Sequence, residues 1–233
     1  MIFYFFYGII LGSFLGVLAK RIPIHKNFVS TRSECDHCQA TLSPIDLVPF
    51  YRLVFHKNNC RHCKQKIPLY HSLFELLTGS SVILFELTIG IHIDTLYLLI
   101  LWITGLTLSL TDYLYLLVEP NILYSGSLTA LLFFYFNHAF SVHSLSTPLI
   151  ILSFFYLLTL LLPNSIGGGD IKLLVIWGIF FPLVVCLKII LIASLSGIIF
   201  ILLYQILFNK KIQRLPFVPF LTFGLIIITL FLK

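Results

Sequence analysis

Two aspartates stand where a carboxylate is costly. Asp112 closes the apolar run TLYLLILWITGLTLSLTD, and Asp170 closes NSIGGGD between two further apolar runs. A carboxylate at the centre of a bilayer helix costs about 2.5–3.5 kcal/mol on insertion scales, and the chain has only nine acidic residues. Acids kept at such positions are expected to have work to do. Two carboxylates a few ångströms apart cannot both ionise. The ionised one can then take a proton from water while the neutral one polarises a peptide carbonyl, without a covalent intermediate. The two aspartates are 58 residues apart, so their meeting depends on how the apolar runs are arranged. Topology alone leaves three readings open: acid–base catalysis at a membrane edge, ion or proton translocation, and structural pairing, for instance with Lys172.

The elements that must position them are membrane helices. The 233 residues are 59% hydrophobic and 10% charged, with a mean hydropathy of +1.02, far from the roughly 25% charge of soluble domains. The pattern predicts an all-α integral membrane protein with about eight spans, at 2–19, 70–91, 95–112, 121–140, 147–163, 171–187, 189–208 and 215–232. The fourth, fifth and sixth have uninterrupted apolar cores below the ~17-residue lower limit for crossing. With the N-terminus outside, thirteen of the 15 Lys and Arg residues lie on or just within the cytoplasmic side, leaving only Lys188 and Lys233 outside. That asymmetry follows the positive-inside rule and places both aspartates at the cytoplasmic face. The net charge of +6 then reflects topology, with anionic lipid and not nucleic acid as its default partner. The first run lacks a basic segment before it and is followed by Lys20 and Arg21, the pattern of a reverse signal-anchor. The expected organisation is a first span (1–19), a cytoplasmic insert (20–69) and a membrane domain (70–233).

The insert carries Cys35, Cys38, Cys60 and Cys63 as C-x2-C-x21-C-x2-C. Four thiolates on two tight turns can close a tetrahedral Zn²⁺ shell, which reads as a structural zinc-knuckle-like site. Two disulfides are the alternative, disfavoured in the cytoplasm. His37 and His62 lie inside the knuckles and read as solvated surface; Cys186, in FFPLVVC, reads as a small apolar residue. The glycines Gly167, Gly168 and Gly169 propagate a helix poorly and let another backbone approach closely. Beside a carboxylate, such a turn suits an enzyme that holds an extended peptide by its main chain. No Gly-Lys-Ser/Thr follows, so it is not a phosphate loop.

At this point the chain resembles a family, the type IV prepilin leader peptidases, which are membrane aspartic proteases of pilus, secretion and competence systems. The resemblance runs through GSFLGVLAKRIP (12–23), the four-cysteine insert, DLVPFYRL (46–53), PLYHSLFELLTG (68–79), TDYLYLLVEPNIL (111–123), GGGDIKLL (167–174) and LPFVPFLTFG (215–224). It implies that Asp112 and Asp170 form the catalytic pair in the bacterial cytoplasmic membrane. The implied substrates are prepilins or pseudopilins, whose short basic leader ends in glycine ahead of a hydrophobic helix. It also implies, for many members, N-methylation with S-adenosylmethionine, for which the sequence shows no glycine-rich nucleotide fingerprint. Two positions depart from the family pattern: Glu119–Pro120 replaces an aliphatic–proline pair, and Gly16 stands where an asparagine is usual.

Other residues carry paired readings. Glu75 and Glu119 could receive the basic leader; for Glu75 the alternative is a carboxylate in the first turns of its helix. Lys172 could position a substrate carbonyl or hold Asp170, or it could snorkel to the interface. Pro216 and Pro219 are expected to break or kink the start of the last span, and Phe3, Phe5, Phe6 and Tyr7 to face lipid. Two other functions predict features missing here. A presenilin-like G-x-G-D protease would show a Tyr-Asp pair and a Pro-Ala-Leu signature, whereas Asp112 follows Thr111. A carboxylate-relay transporter would place its acids at mid-span.

Overall fold

The computed structural model describes residues 1–26, 38, 40–41, 59–60, 62–66, 68–137, 143–162, 167–210 and 214–231. Among them are eight α-helices: α1 (Ile2–Arg21), α2 (Leu69–Thr88), α3 (Leu96–Tyr115), α4 (Pro120–Asn137), α5 (His143–Leu161), α6 (Gly168–Phe180), α7 (Leu183–Phe208) and α8 (Val218–Phe231). Four stretches, Ile2–Ile24, Ile93–Tyr115, His143–Leu161 and Leu183–Phe208, are long and apolar enough to cross a bilayer. The chain is a membrane protein. Its outward side chains fit that solvent: Phe3 is 88% exposed and Phe136 83%, a cost in water and none in lipid.

The chain forms two compact units, Met1–Thr88 and Ile89–Lys233. In the first, α1 and α2 pack antiparallel at close range. Gly8, Gly12 and Gly16 recur every fourth residue of α1, on one face. A Cβ at Gly8 would lie 2.8 Å from Gly79 Cα, and one at Gly12 would collide with Thr78 Oγ1. Small residues at such spacing let helix backbones meet, and in lipid that van der Waals contact replaces the hydrophobic drive. α1 and α2 thus pack together within one compact unit.

In the second unit, α3 is the central member, packed against α4 and α8, while α5 pairs with α6 and α7 with α8. A glycine sits at each of these close approaches. Gly126 faces Thr104, Gly105 faces Thr222, Gly178 faces Ile151 and Pro148, and Gly224 faces the Ile189 carbonyl. Tyr97, Phe134 and Phe180 form a ring cluster that ties the start of α3 to α4 and to the end of α6, with centroid separations of 5.1, 5.5 and 6.1 Å.

The seam between α3 and α8 is polar at intervals. Trp102 Nε1 donates to Thr229 Oγ1 at 2.9 Å, and the Ser109 and Thr222 hydroxyls lie 2.9 Å apart. Thr222 Oγ1 is also 3.1 Å from the Gly105 carbonyl. These contacts fix the register of two antiparallel helices.

The apolar pattern predicts a sixth span over 171–187, but the helix ends at Phe180. Phe181 is extended (φ −124°, ψ 142°) because it precedes Pro182, and Pro182 starts α7 as its N-cap. The break leaves α6 with 13 residues and gives α7 26. At about 1.5 Å per residue, α6 is shorter than a ~30 Å hydrocarbon core. The last helix begins at Val218 and not at 215, in keeping with the expected effect of its two prolines.

The α1–α2 contact makes a prediction. Gly12→Leu should lower the midpoint of thermal unfolding in detergent, whereas Gly16→Ala should be tolerated, since its added Cβ would meet Phe74 at an ordinary 3.5 Å. Equal effects from the two would contradict the close-packed geometry.

Candidate active site

Asp112 occupies the last turn of α3, and 7% of it is exposed. Its side chain leaves its own helix for another. The Val218 N–H donates to Asp112 Oδ2 at 3.0 Å. The reason lies in the start of α8. The Phe217 carbonyl accepts the first helical bonds, from Phe220 and Leu221, which makes Phe217 the N-cap. A phenylalanine has no acceptor to offer the orphan amides of a first turn. Asp112 supplies one from α3, and the partial positive charge of the helix start favours a carboxylate there.

Asp170 is the third residue of α6. Gly167 is the N-cap, in extended conformation, and its carbonyl accepts from the Asp170 N–H at 3.1 Å. A carboxylate in a first turn is again favourably placed. After α3, Leu116 adopts a left-handed conformation (φ 54°) and its N–H returns to the Asp112 carbonyl at 2.8 Å. Such a conformation costs a bulky non-glycine residue about 1–3 kcal/mol. It turns the chain so that Val118 meets the start of α6: a Cβ on Gly169 would lie 2.7 Å from Val118 Cβ. The Val118–Gly169 contact at one end and the Tyr97–Phe180 stack at the other lay α6 antiparallel to α3. Asp170, in the first turn of α6, thereby lies beside the connection that follows the last turn of α3, which carries Asp112.

The other candidate residues divide. Of the three glycines, only Gly169 is required by sterics. An added Cβ at Gly168 would meet nothing within 4 Å, and one at Gly167 would meet only the Asp170 carboxylate end. Gly167 and Gly168 are exposed. Instead of forming a free turn, Gly168 and Gly169 begin α6. Lys172 is exposed, and positions i and i+2 on a helix do not face one another. Neither Glu75 nor Glu119 is an exposed interfacial acid, each being 6% exposed. Glu119 Oε1 accepts from Asn121 Nδ2 at 3.0 Å, and the Glu119 carbonyl accepts from the Leu123 N–H. Glu119 is therefore the N-cap of α4 with Pro120 at N1, where a proline's missing N–H costs nothing.

In the first unit, the sulfurs of Cys38, Cys60 and Cys63 all lie within 4.8 Å of one another, and Cys38 Sγ is 3.9 Å from Cys60 Sγ. Disulfide sulfurs would be about 2.05 Å apart, whereas sulfurs sharing a tetrahedral zinc at 2.3 Å sit about 3.8 Å apart. The Cys60–Cys63 knuckle is closed by Lys64 N–H to Cys60 O and Cys60 N–H to Gln65 O, with Lys64 left-handed. The cluster can hold a metal ion. Cys35 and His37 lie outside the described residues, as do 46–53; His62 is exposed.

Two family models match this chain. Residues 6–89 match the bacterial peptidase A24 N-terminal domain, and residues 97–202 match the type IV leader peptidase family. The chain belongs to the type IV leader peptidase family. The two matched ranges meet near the boundary between the compact units. A prepilin leader peptidase/N-methyltransferase of Bacillus subtilis (strain 168) is 26% identical over 97% of this chain and 92% of its own length. A type 4 prepilin-like proteins leader peptide-processing enzyme of Escherichia coli O78:H11 is 28% identical over 93% of this chain and 88% of its own. A Myxococcus xanthus prepilin leader peptidase/N-methyltransferase is 35% identical over a shorter segment, 34% of this chain and 23% of its own. No solved structure matches the chain.

Inspection of the aspartates alone misses Val218, Phe217, Leu116 and Val118. One signal was available: LPFVPF starts a helix with no capping side chain of its own, so an acceptor had to come from elsewhere. The Gly169–Val118 contact gives a direct test. Gly169→Ala should lower the unfolding midpoint in detergent through overpacking, about 1–3 kcal/mol. Gly168→Ala should leave it unchanged or raise it, alanine being the better helix former. The reverse order would contradict the docking of α6 on the α3–α4 connection.

Proposed function

We propose that this protein is a membrane aspartic endopeptidase that removes the basic leader from prepilin-like proteins at the cytoplasmic face of the bacterial inner membrane. The observation that supports the reading is the docking of the first turn of α6 on the α3–α4 connection, through Gly169 and Val118, which puts Asp170 at the end of α3 that carries Asp112. In this reading the pair holds one proton. The ionised carboxylate takes a proton from a water placed between them, and the water oxygen bonds to the scissile carbonyl carbon. The protonated partner donates a hydrogen bond to the carbonyl oxygen, which gathers negative charge. When the C–N bond breaks, the leaving amine takes up a proton from the pair, and the one-proton state returns.

The exposed main chain at Gly167 and Gly168, one turn before Asp170, supports a role in holding an extended substrate backbone. Lys172, exposed nearby, is free to meet a substrate carbonyl or a lipid phosphate. Glu75 and Glu119 would have to be uncovered before meeting a basic leader, so they rank below the glycines as substrate contacts. Eight passes with the N-terminus outside remain the best topology for the eight helices and the Lys and Arg distribution, with α6 and α8 shorter than the bilayer. N-methylation with S-adenosylmethionine is supported by the names of the relatives. We assign a structural zinc to Cys38, Cys60 and Cys63, with Cys35 as the fourth thiolate. A closed four-sulfur shell would supply stability to the insert and no open position for chemistry.

Asp112→Asn and Asp170→Asn should each abolish cleavage of a prepilin-type substrate while the protein still accumulates in membranes. The double variant should lose no more than either single one, because the pair acts as a unit. Near-normal turnover by either would contradict the assignment. The wild-type rate should also fall on both sides of a pH optimum, since neither the doubly protonated nor the doubly ionised pair can work. For the insert, elemental analysis of protein purified without chelator should find about one zinc per chain, and Cys60→Ser should lower it. Metal-free protein would contradict the site.

A further inference from the structure

Asp112 and α8 need one another. Val218 is fully buried, so its N–H has no water to fall back on, and an unpaired buried amide is costly. Pro219, the next residue, has no N–H at all. The acceptor for this turn is a carboxylate whose own helix ends three residues later. Nor is the contact isolated. Trp102–Thr229 and Ser109–Thr222 hold the same two helices in one register, and sliding α8 by a single residue would lose all three bonds together. Val218 lies beyond both ranges matched by the family models, which end at residues 89 and 202.

We infer that the first turn of α8 is a positioning element of the active site: the Val218 N–H, anchored by the α3–α8 seam, holds the Asp112 carboxylate in its working orientation toward Asp170. This rests on the proposed peptidase reading. A carboxylate on the last turn of a helix, left to itself, samples several rotamers, and each wrong one removes it from the water it must activate. A backbone donor fixed on a separate helix selects one. Val218 is then a positioning residue acting through its main chain, and its side chain is incidental to that task.

Val218→Pro deletes this N–H at the helix position where proline is best tolerated. A second variant replaces Val218 with its α-hydroxy acid, turning the Phe217–Val218 amide into an ester and removing the donor without changing the side chain. Val218→Ala keeps the N–H. In a purified, reconstituted system with a prepilin-type substrate, Val218→Ala is the reference for a side-chain change that keeps the donor. The two donor-deleted forms should lose about tenfold to a hundredfold in kcat, with KM within about twofold. A purely structural cap would lower the unfolding temperature and leave kcat alone. If the proline variant fails to accumulate, the ester form decides. Asp112→Asn in the same assay separates the two claims. Activity there overturns the carboxylate pair itself. An inactive Asp112→Asn beside donor-deleted forms of wild-type kcat overturns the positioning role.

Discussion

The hydrogen bond from the Val218 N–H to Asp112 Oδ2 joins two structural requirements of a membrane interior. In lipid a carboxylate must find donors, and a helix start must find acceptors. Here each satisfies the other, across 106 residues of sequence. The direction of α3, the register of α8 and the placement of Asp112 therefore stand or fall together. Thr222 and Thr229 extend the same logic along the seam. Their hydroxyls also bond back to their own helix, at the Val218 and Leu225 carbonyls.

Asp170 is placed by steric fit. The left-handed turn at Leu116 and the missing side chain at Gly169 allow the α3–α4 connection to lie against the first turn of α6. At the far end, the rings of Tyr97, Phe134 and Phe180 tie down the same helix. Helices held at both ends give a carboxylate pair little freedom to drift, the condition that preorganised catalysis requires.

Much of this was legible in the amino-acid pattern, for identifiable reasons. The apolar runs predict helices because lipid leaves the backbone few other ways to bond itself. Asp112 and Asp170 are conspicuous because an acid is expensive there. The pattern failed where a single residue outweighs hydropathy: Pro182 ends α6 inside an unbroken apolar run. Glu119, expected near the interface, is buried with its carboxylate on the Asn121 amide. The Gly8–Gly12–Gly16 face was readable in principle, but its partner helix lies beyond a long insert. Contacts made by main-chain atoms, such as that of Val218, leave almost no trace in composition. The thiol cluster was foreshadowed by spacing alone, because two C-x2-C turns demand one metal-sized gap.

The most direct measurement is the mass of a substrate made in the presence of this protein. A prepilin with a basic leader, a glycine and an apolar helix would be co-expressed in cells lacking their own processing enzyme. Intact-mass spectrometry would then read the N-terminus of the membrane-extracted product. Loss of the leader immediately after the glycine is expected with the wild-type protein, and the full-length precursor with Asp170→Asn. A full-length precursor beside well-accumulated wild-type protein, or the same trimmed product with Asp170→Asn, would contradict it.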